Sequence, residues 1–361
     1  MILGVPSSSL SRTTPLSHLA KVGKTLPVCY HKHVKVVTLG TGSGRPTLRR
    51  NVSAVAVVWE GEWLLFDCGE ATQIQMMKAD LSISRLTAIF ITHLHGDHFN
   101  GLAGLLSTIG LNGRDHMLTI VGPPGIQSYL DLLRELRVLY VNYPVEVREF
   151  PARLFSTQGV PTPASHIRAG ATSGPSELLP LLCVFETDRY TVSSRPLDHR
   201  LYALGYRIEE RTKPGRFDLE RARALGIPEG PLFGRLQAGN EITLADGGIV
   251  YPGDVLGPSR PGRKMAYCTD TRPCQGSVVL SKEVDLMVHE ATFAEDREIE
   301  ASEYGHSTSA QAAMVAAQAG PGRLLITHIS ARYPDASGLL QEARARFPNS
   351  ELAQDLMVTQ V

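Results

Sequence analysis

Four residues within six positions, His93, His95, Asp97 and His98, follow the apolar segment LTAIFI. Neutral imidazole and carboxylate are ligands that Zn²⁺ accepts. In the order H-x-H-x-D-H, one tight loop can aim His93 and His95 at one ion while Asp97 and His98 face a second. Gly96 and Gly101 give the backbone the freedom this crowding needs. A single loop does not supply enough ligands for two ions, and isolated residues elsewhere complete the set. His199 in PLDHR, Asp270 in YCTDT and His328 in LLITH each close an apolar segment. His199 completes the His93/His95 group, His328 completes the Asp97/His98 group, and Asp270 bridges. Two neighbouring ions bring water near ionisation at neutral pH and grip the free oxygens of a phosphodiester, so the chemistry indicated is hydrolysis.

These residues must be positioned by strand ends. Strand-like segments VKVVTLGTG, SAVAVVWEGEWLLFDCG, LTAIFITH, LTIVGP, YALGYRIEE, MAYCTDT, VDLMVHEA and RLLITH run through both halves of the chain. Helical patterns in EATQIQMMKA, IQSYLDLLRELRV and SAQAAMVAAQAG fall between them. The alternation predicts a layered α/β domain over residues 35–208 and 259–361. Residues 152–180, rich in Pro, Gly, Ser and Ala, read as a surface loop. Residues 209–258 hold a short helix, the Gly-Pro-rich piece GIPEGPLFG and two short strands, and read as a protruding module inserted in the core.

Composition narrows the classes. The 361 residues carry 36 Lys+Arg against 36 Asp+Glu, so any nucleic-acid site must be local rather than a basic face. The 5 cysteines form an odd set without a CxxC pair, which argues against a disulfide framework and a thiolate zinc ribbon and fits a reducing compartment. No apolar run reaches the roughly 18 residues of a membrane span. Residues 1–34 contain no Asp or Glu. They read as a disordered basic extension of a cytoplasmic protein, with an organelle transit segment, and so an organelle matrix, as the alternative.

The ligand set resembles that of the metallo-β-lactamase superfamily, which implies an αββα sandwich with two Zn²⁺ per subunit, Mn²⁺ being a substitute. His95 counts against the diiron branch, where a carboxylate generally stands in its place. Further motifs resemble the ribonuclease Z family from about residue 35 onward: LGTGSGRP (39–46), FDCGEATQ (66–73), GYR (205–207), HEATF (289–293), GHST (305–308) and THISARY (327–333). This resemblance implies removal of the 3′ trailer of precursor tRNA, leaving a 3′-hydroxyl on the tRNA and a 5′-phosphate on the trailer. A dinuclear phosphodiesterase acting on small esters or other RNAs is the alternative.

By the same resemblance His306, held by Glu290, is the general acid, and Asp97 orients the nucleophile or takes its proton. His289 supports the site from behind. Residues 209–258 become a flexible arm gripping the tRNA elbow, with Arg216, Gly230 and Pro231 among its contacts, and a homodimer is expected. Arg50, Asn51, Ser307, Thr308 and Arg332 are further candidate substrate contacts. The segment PTLRRN keeps Pro46, Arg50 and Asn51 but has Leu48 where the family carries lysine, with Arg49 beside it.

Overall fold

The segment Leu286–Glu290 is buried at every position, as expected of a strand covered on both faces. A computed structural model, describing residues 34–155 and 181–361, puts this strand inside one of two seven-stranded sheets. The expected extension and most of the 152–180 loop lie outside the described residues.

The first sheet runs Met357–Gln360, Lys35–Gly40, Ala54–Trp59, Glu62–Phe66, Leu86–Phe90, Leu118–Gly122, Val145–Glu149. The second runs Ser350–Leu352, Leu324–Thr327, Leu286–Glu290, Lys264–Cys268, Ala203–Glu210, Tyr190–Leu197, Leu182–Glu186. Each sheet is antiparallel over one half and parallel over the other.

Side-chain alternation assigns the layers. Val57, Phe66, Phe90 and Val121 meet Tyr206, Tyr267, Val288 and Leu325 in a core between the sheets. The intervening Ala56, Leu65 and Ile89 pack outward with Leu102, Leu105 and Leu106, and Met287, Leu324 and Ile326 pack outward with Ala312, Ala313 and Ala316. The result is the expected αββα sandwich. No helix among the described residues is long and apolar enough to cross a membrane, and Cys68, Cys183, Cys268 and Cys274 are unpaired.

Several elements go beyond the sequence pattern. Leu102–Leu111 is a helix although Gly104 and Gly110 weaken its propensity. Gly110 suits the packing there, because a Cβ would lie 3.0 Å from Asn142 Oδ1 and 3.2 Å from Tyr140 O. Glu298–Tyr304 and Ser337–Arg346 are also helical. The protruding module leaves the core after Glu210 and builds its own small core from Ala222, Ile227, Leu236, Ile242, Val250 and Val255. Its two connecting strands cross at Gly215, where a Cβ would sit 1.8 Å from Gly257 O.

Candidate metal centre and acid–base pair

Parallel strands end on one rim of the sandwich, and the expected ligands stand there. His93 and His95 leave strand Leu86–Phe90, Asp97 and His98 occupy a single helical turn at Gly96–Phe99, and Asp270 and His328 follow strands Lys264–Cys268 and Leu324–Thr327. His199 comes from the turn between Tyr190–Leu197 and Ala203–Glu210.

The donor atoms form two groups. His93 Nε2 lies 2.9 Å from His95 Nδ1, which lies 3.3 Å from His199 Nε2. Asp270 Oδ2 faces this group at 3.5 and 3.8 Å. The other carboxylate oxygen, Oδ1, is 3.1 Å from His98 Nε2 and 3.2 Å from His328 Nε2. Those two nitrogens are 3.2 Å apart, and Asp97 Oδ2 lies 3.6 and 3.4 Å from them. Tetrahedral zinc with bonds of about 2.0–2.2 Å requires ligand atoms roughly 3.3–3.6 Å apart. The separations in both groups, 2.9 to 3.8 Å, bracket that spacing, with the two oxygens of Asp270 divided between them.

Outer hydrogen bonds fix the rings for this purpose. His98 Nδ1 donates to Asp67 Oδ2 (2.8 Å) and His199 Nδ1 to Gly305 O (2.7 Å). Thr92 Oγ1 donates to Asp67 and therefore accepts from His93 Nδ1 at 3.0 Å. Thr292 Oγ1 donates to Glu290 and so accepts from His328 Nδ1 at 2.9 Å. In their neutral forms these four rings present bare Nε2 atoms, and those atoms converge. Lone pairs at these separations repel unless a proton or a metal cation lies between them.

Burial holds His93, His95 and His199 below the ordinary histidine range, in the neutral form a metal needs. His98 is driven the other way: burial opposes its charge, but Asp270, Asp67 and Asp97 overcome it. Burial likewise favours neutral Asp97 and Asp270, yet the surrounding histidines keep both ionised. Asp67, Asp270 and His328 have φ of 58°, 53° and 57°, a left-handed backbone that costs roughly 1–2 kcal/mol for each such residue.

Beside the cluster, Glu290 is fully buried. Its Oε1 accepts from Thr271 N (3.0 Å) and His306 Nδ1 (2.9 Å), and its Oε2 from Thr292 N (3.0 Å) and Thr292 Oγ1 (2.7 Å). Burial disfavours the charge of His306, but Glu290 and then Asp270 outweigh it and lift the ring to about 9. With Nδ1 engaged, Nε2 faces a cleft of ≈ 340 Å³ that His95, His199 and Arg332 also line. His289 is buried behind this pair and donates from Nδ1 to the Glu290 carbonyl at 2.7 Å.

The candidate substrate contacts divide. Arg332 lines the cleft. Arg216, Gly230 and Pro231 are exposed on the 209–258 module and line no part of the cleft described above, and Gly230 takes φ 138° to start the helix Pro231–Gln237.

The remaining four are engaged in the fold. Ser307 is buried and donates to Thr271 O (2.6 Å), while Thr308 caps the helix Ser309–Ala319 in a capping box with Gln311. Arg50 donates to Thr41 Oγ1 and Ala353 O (2.6 and 2.7 Å), and Asn51 to Glu70 O (2.9 Å), tying their loop to neighbouring turns. These contacts engage the Ser307 and Thr308 hydroxyls and the Asn51 amide nitrogen within the fold. Asp67, in the FDCGEATQ motif, orients the His98 ring by accepting from its Nδ1 and also accepts from Thr92 Oγ1. Leu48 is fully exposed, and Arg49 donates to Pro334 O.

Two sheets packed face to face, helices outside, and a histidine–carboxylate cluster across the strand ends define a hydrolase of the metallo-β-lactamase superfamily. Residues 250–329 match the family described as beta-lactamase superfamily domain, and residues 34–130 match that of anti-Pycsar protein Apyc1. Ribonuclease Z of Salinibacter ruber is 49% identical over 324 residues, covering 90% of this chain and 93% of that protein. Ribonuclease Z of Cyanothece sp. is 42% identical over 331 residues, covering 90% and 94%. The crystal structure of human tRNase Z, short form, aligns with a TM-score of 0.60 and 30% identity, covering 90% of this chain and 98% of that one. The chain belongs to the ribonuclease Z family.

Proposed function

We propose that this protein is the endoribonuclease that removes the 3′ trailer from precursor tRNA, using two Zn²⁺ per chain, with Mn²⁺ as a substitute. The observation that carries the reading is the shared Asp270 carboxylate between two ligand groups, with the His306–Glu290 pair beside them. His93, His95, His199 and Asp270 would hold one ion, and Asp97, His98, His328 and Asp270 would hold the other. When bound, the ions supply Lewis-acid stabilisation of the phosphodiester and a water acidified toward neutral pH.

The chain's own groups handle the protons. Asp97 Oδ2 is fixed by a 2.7 Å hydrogen bond from Gly44 N; it orients the attacking water and accepts its proton. His306 enters the reaction as imidazolium and donates from Nε2 to the departing 3′ oxygen, leaving a 3′-hydroxyl on the tRNA and a 5′-phosphate on the trailer. Glu290 stabilises the charged ring before transfer. General acids of this kind contribute about 10²- to 10⁴-fold.

The module after Glu210 serves as an arm gripping the folded part of the tRNA, with Arg216 and the Gly230-Pro231 turn among its contacts. A module with its own small core suits recognition of RNA shape rather than of base edges. The working form is a homodimer in the cytoplasm, as the resemblance to the family implies. The test is cleavage of an end-labelled precursor tRNA with the cut mapped to the nucleotide. A single cut after the discriminator base, lost in His95→Ala, supports the reading. A metal-loaded protein that leaves this RNA intact refutes it and favours a small-ester phosphodiesterase.

A further inference from the structure

Two arginines reach the cleft, in different states. The Arg332 guanidinium pairs with both oxygens of Glu300 at 2.7 and 3.1 Å and lies 5.1 Å from the Phe293 ring centroid. Arg200 also lines the cleft, is exposed, and makes no hydrogen bond or ion pair among the described residues. Its stem is nonetheless placed beside the site. It follows His199 directly, and its stem lies against Gly305, where φ is 84° and an added Cβ would be 3.1 Å from Arg200 Cγ and 2.8 Å from His199 Nδ1.

The residue before that glycine is Tyr304. Its ring runs nearly parallel to buried Phe293, with centroids 6.4 Å apart and planes at 16°, yet 49% of the residue is exposed. A free guanidinium, a backed aromatic ring and the acid–base histidine thus border one cleft. Single-stranded RNA is held by this combination: cations take the phosphate, and aromatic faces stack on an unpaired base.

We infer that Arg200 and Tyr304 form a subsite for the single nucleotide next to the scissile phosphate, Arg200 binding its phosphate and Tyr304 stacking on its base. The inference rests on the proposed cleavage of precursor tRNA and adds two binding residues to it.

The test compares wild type with Arg200→Lys, Arg200→Gln, Tyr304→Phe and Tyr304→Ala, measuring kcat/KM on precursor tRNA. The RNAs are intact, or abasic at the nucleotide immediately 5′ or 3′ of the cut, in about 50–200 mM salt. Metal content and Tm of each variant serve as the check on folding. Tyr304→Ala is expected to lose roughly tenfold on intact RNA, to be slowed no further by one of the two abasic substitutions, and to be rescued by Tyr304→Phe. Arg200→Gln is expected to flatten the dependence of log kcat/KM on log salt by about 0.7, the amount of one single-strand phosphate contact. Arg200→Lys restores the slope.

A wild type that cuts the precursor, together with Arg200→Gln and Tyr304→Ala variants that match it in slope and in response to both abasic RNAs, overturns this inference alone. A wild type that leaves intact precursor uncut overturns the function and this inference with it.

Discussion

Replacing Glu290 by glutamine isolates the proton-donating step. A rise of His306 from 6.5 to about 9 corresponds to roughly 3 kcal/mol favouring the imidazolium. At pH 7.5 a ring of that basicity is about 97% protonated, whereas one at the ordinary value is about 9% protonated. Without the carboxylate, burial of His306 is opposed chiefly by Asp270, and the ring falls toward or below its ordinary value. Bound cations lower both proteins' values, so the displacement between them is the quantity tested. Because the acid must be protonated, activity is present below its pKa and lost above it.

The alkaline limb of Glu290→Gln should therefore appear at lower pH than that of wild type, and cleavage at pH 7.5 should drop by about tenfold or more, following the fall in the protonated fraction. Single-turnover cleavage of precursor tRNA from pH 6 to 9.5 reads both effects, with metal content and Tm as controls. A substrate whose 3′ leaving oxygen is replaced by sulfur needs little protonation, and should recover most of the loss. An unchanged alkaline limb, or an equal deficit on the sulfur-bridged substrate, refutes the assignment of His306 and Glu290.

Three other outcomes are expected. Chelation should strip two metal ions per chain, measured by elemental analysis, and lower the Tm, since ligand bound only to the folded state adds to its stability; Asp270→Ala should diminish both sites together. Gly305→Ala combines a left-handed φ with a Cβ 2.8 Å from His199 Nδ1, so it should cost about 1–2 kcal/mol from the backbone and reduce metal content, read by calorimetry and elemental analysis. Joining Gly215 to Gly257 through a short glycine linker should leave the core's Tm near that of wild type while precursor-tRNA cleavage collapses and hydrolysis of a small phosphodiester persists; parallel loss of both activities would refute an arm devoted to RNA.

Much of the fold was legible because buried strands advertise themselves: LTAIFITH, VDLMVHEA and RLLITH each combine an apolar run with a polar residue at the end. The same terminal positions made His199, Asp270 and His328 stand out once the H-x-H-x-D-H loop was in view. What sequence could not supply depends on contacts distant along the chain. Asp67 bonds His98 across 31 positions and Tyr267 across 200, so its orienting role has no local signature. Ser307 and Thr308 sit in a motif beside the acid, yet packing directs their hydroxyls into the fold. Arg200 and Tyr304 lack a motif altogether, because lining a cleft is a tertiary property. Helix Glu298–Tyr304 is acidic and short, and strand Tyr190–Leu197 contains Ser-Ser-Arg-Pro, so neither gives a strong periodic signal.

The division of the ligands between the two sheets bears on how the protein is made. His98 and His328 are 230 positions apart yet have facing nitrogens 3.2 Å from one another. During synthesis the first sheet's ligands leave the ribosome long before Asp270 and His328 exist, so a partial chain can present at most a fragment of either site. Hydrolysis is therefore withheld until both halves have been translated and closed on each other, and a nascent chain stalled before His328 should be inert toward the RNA around it.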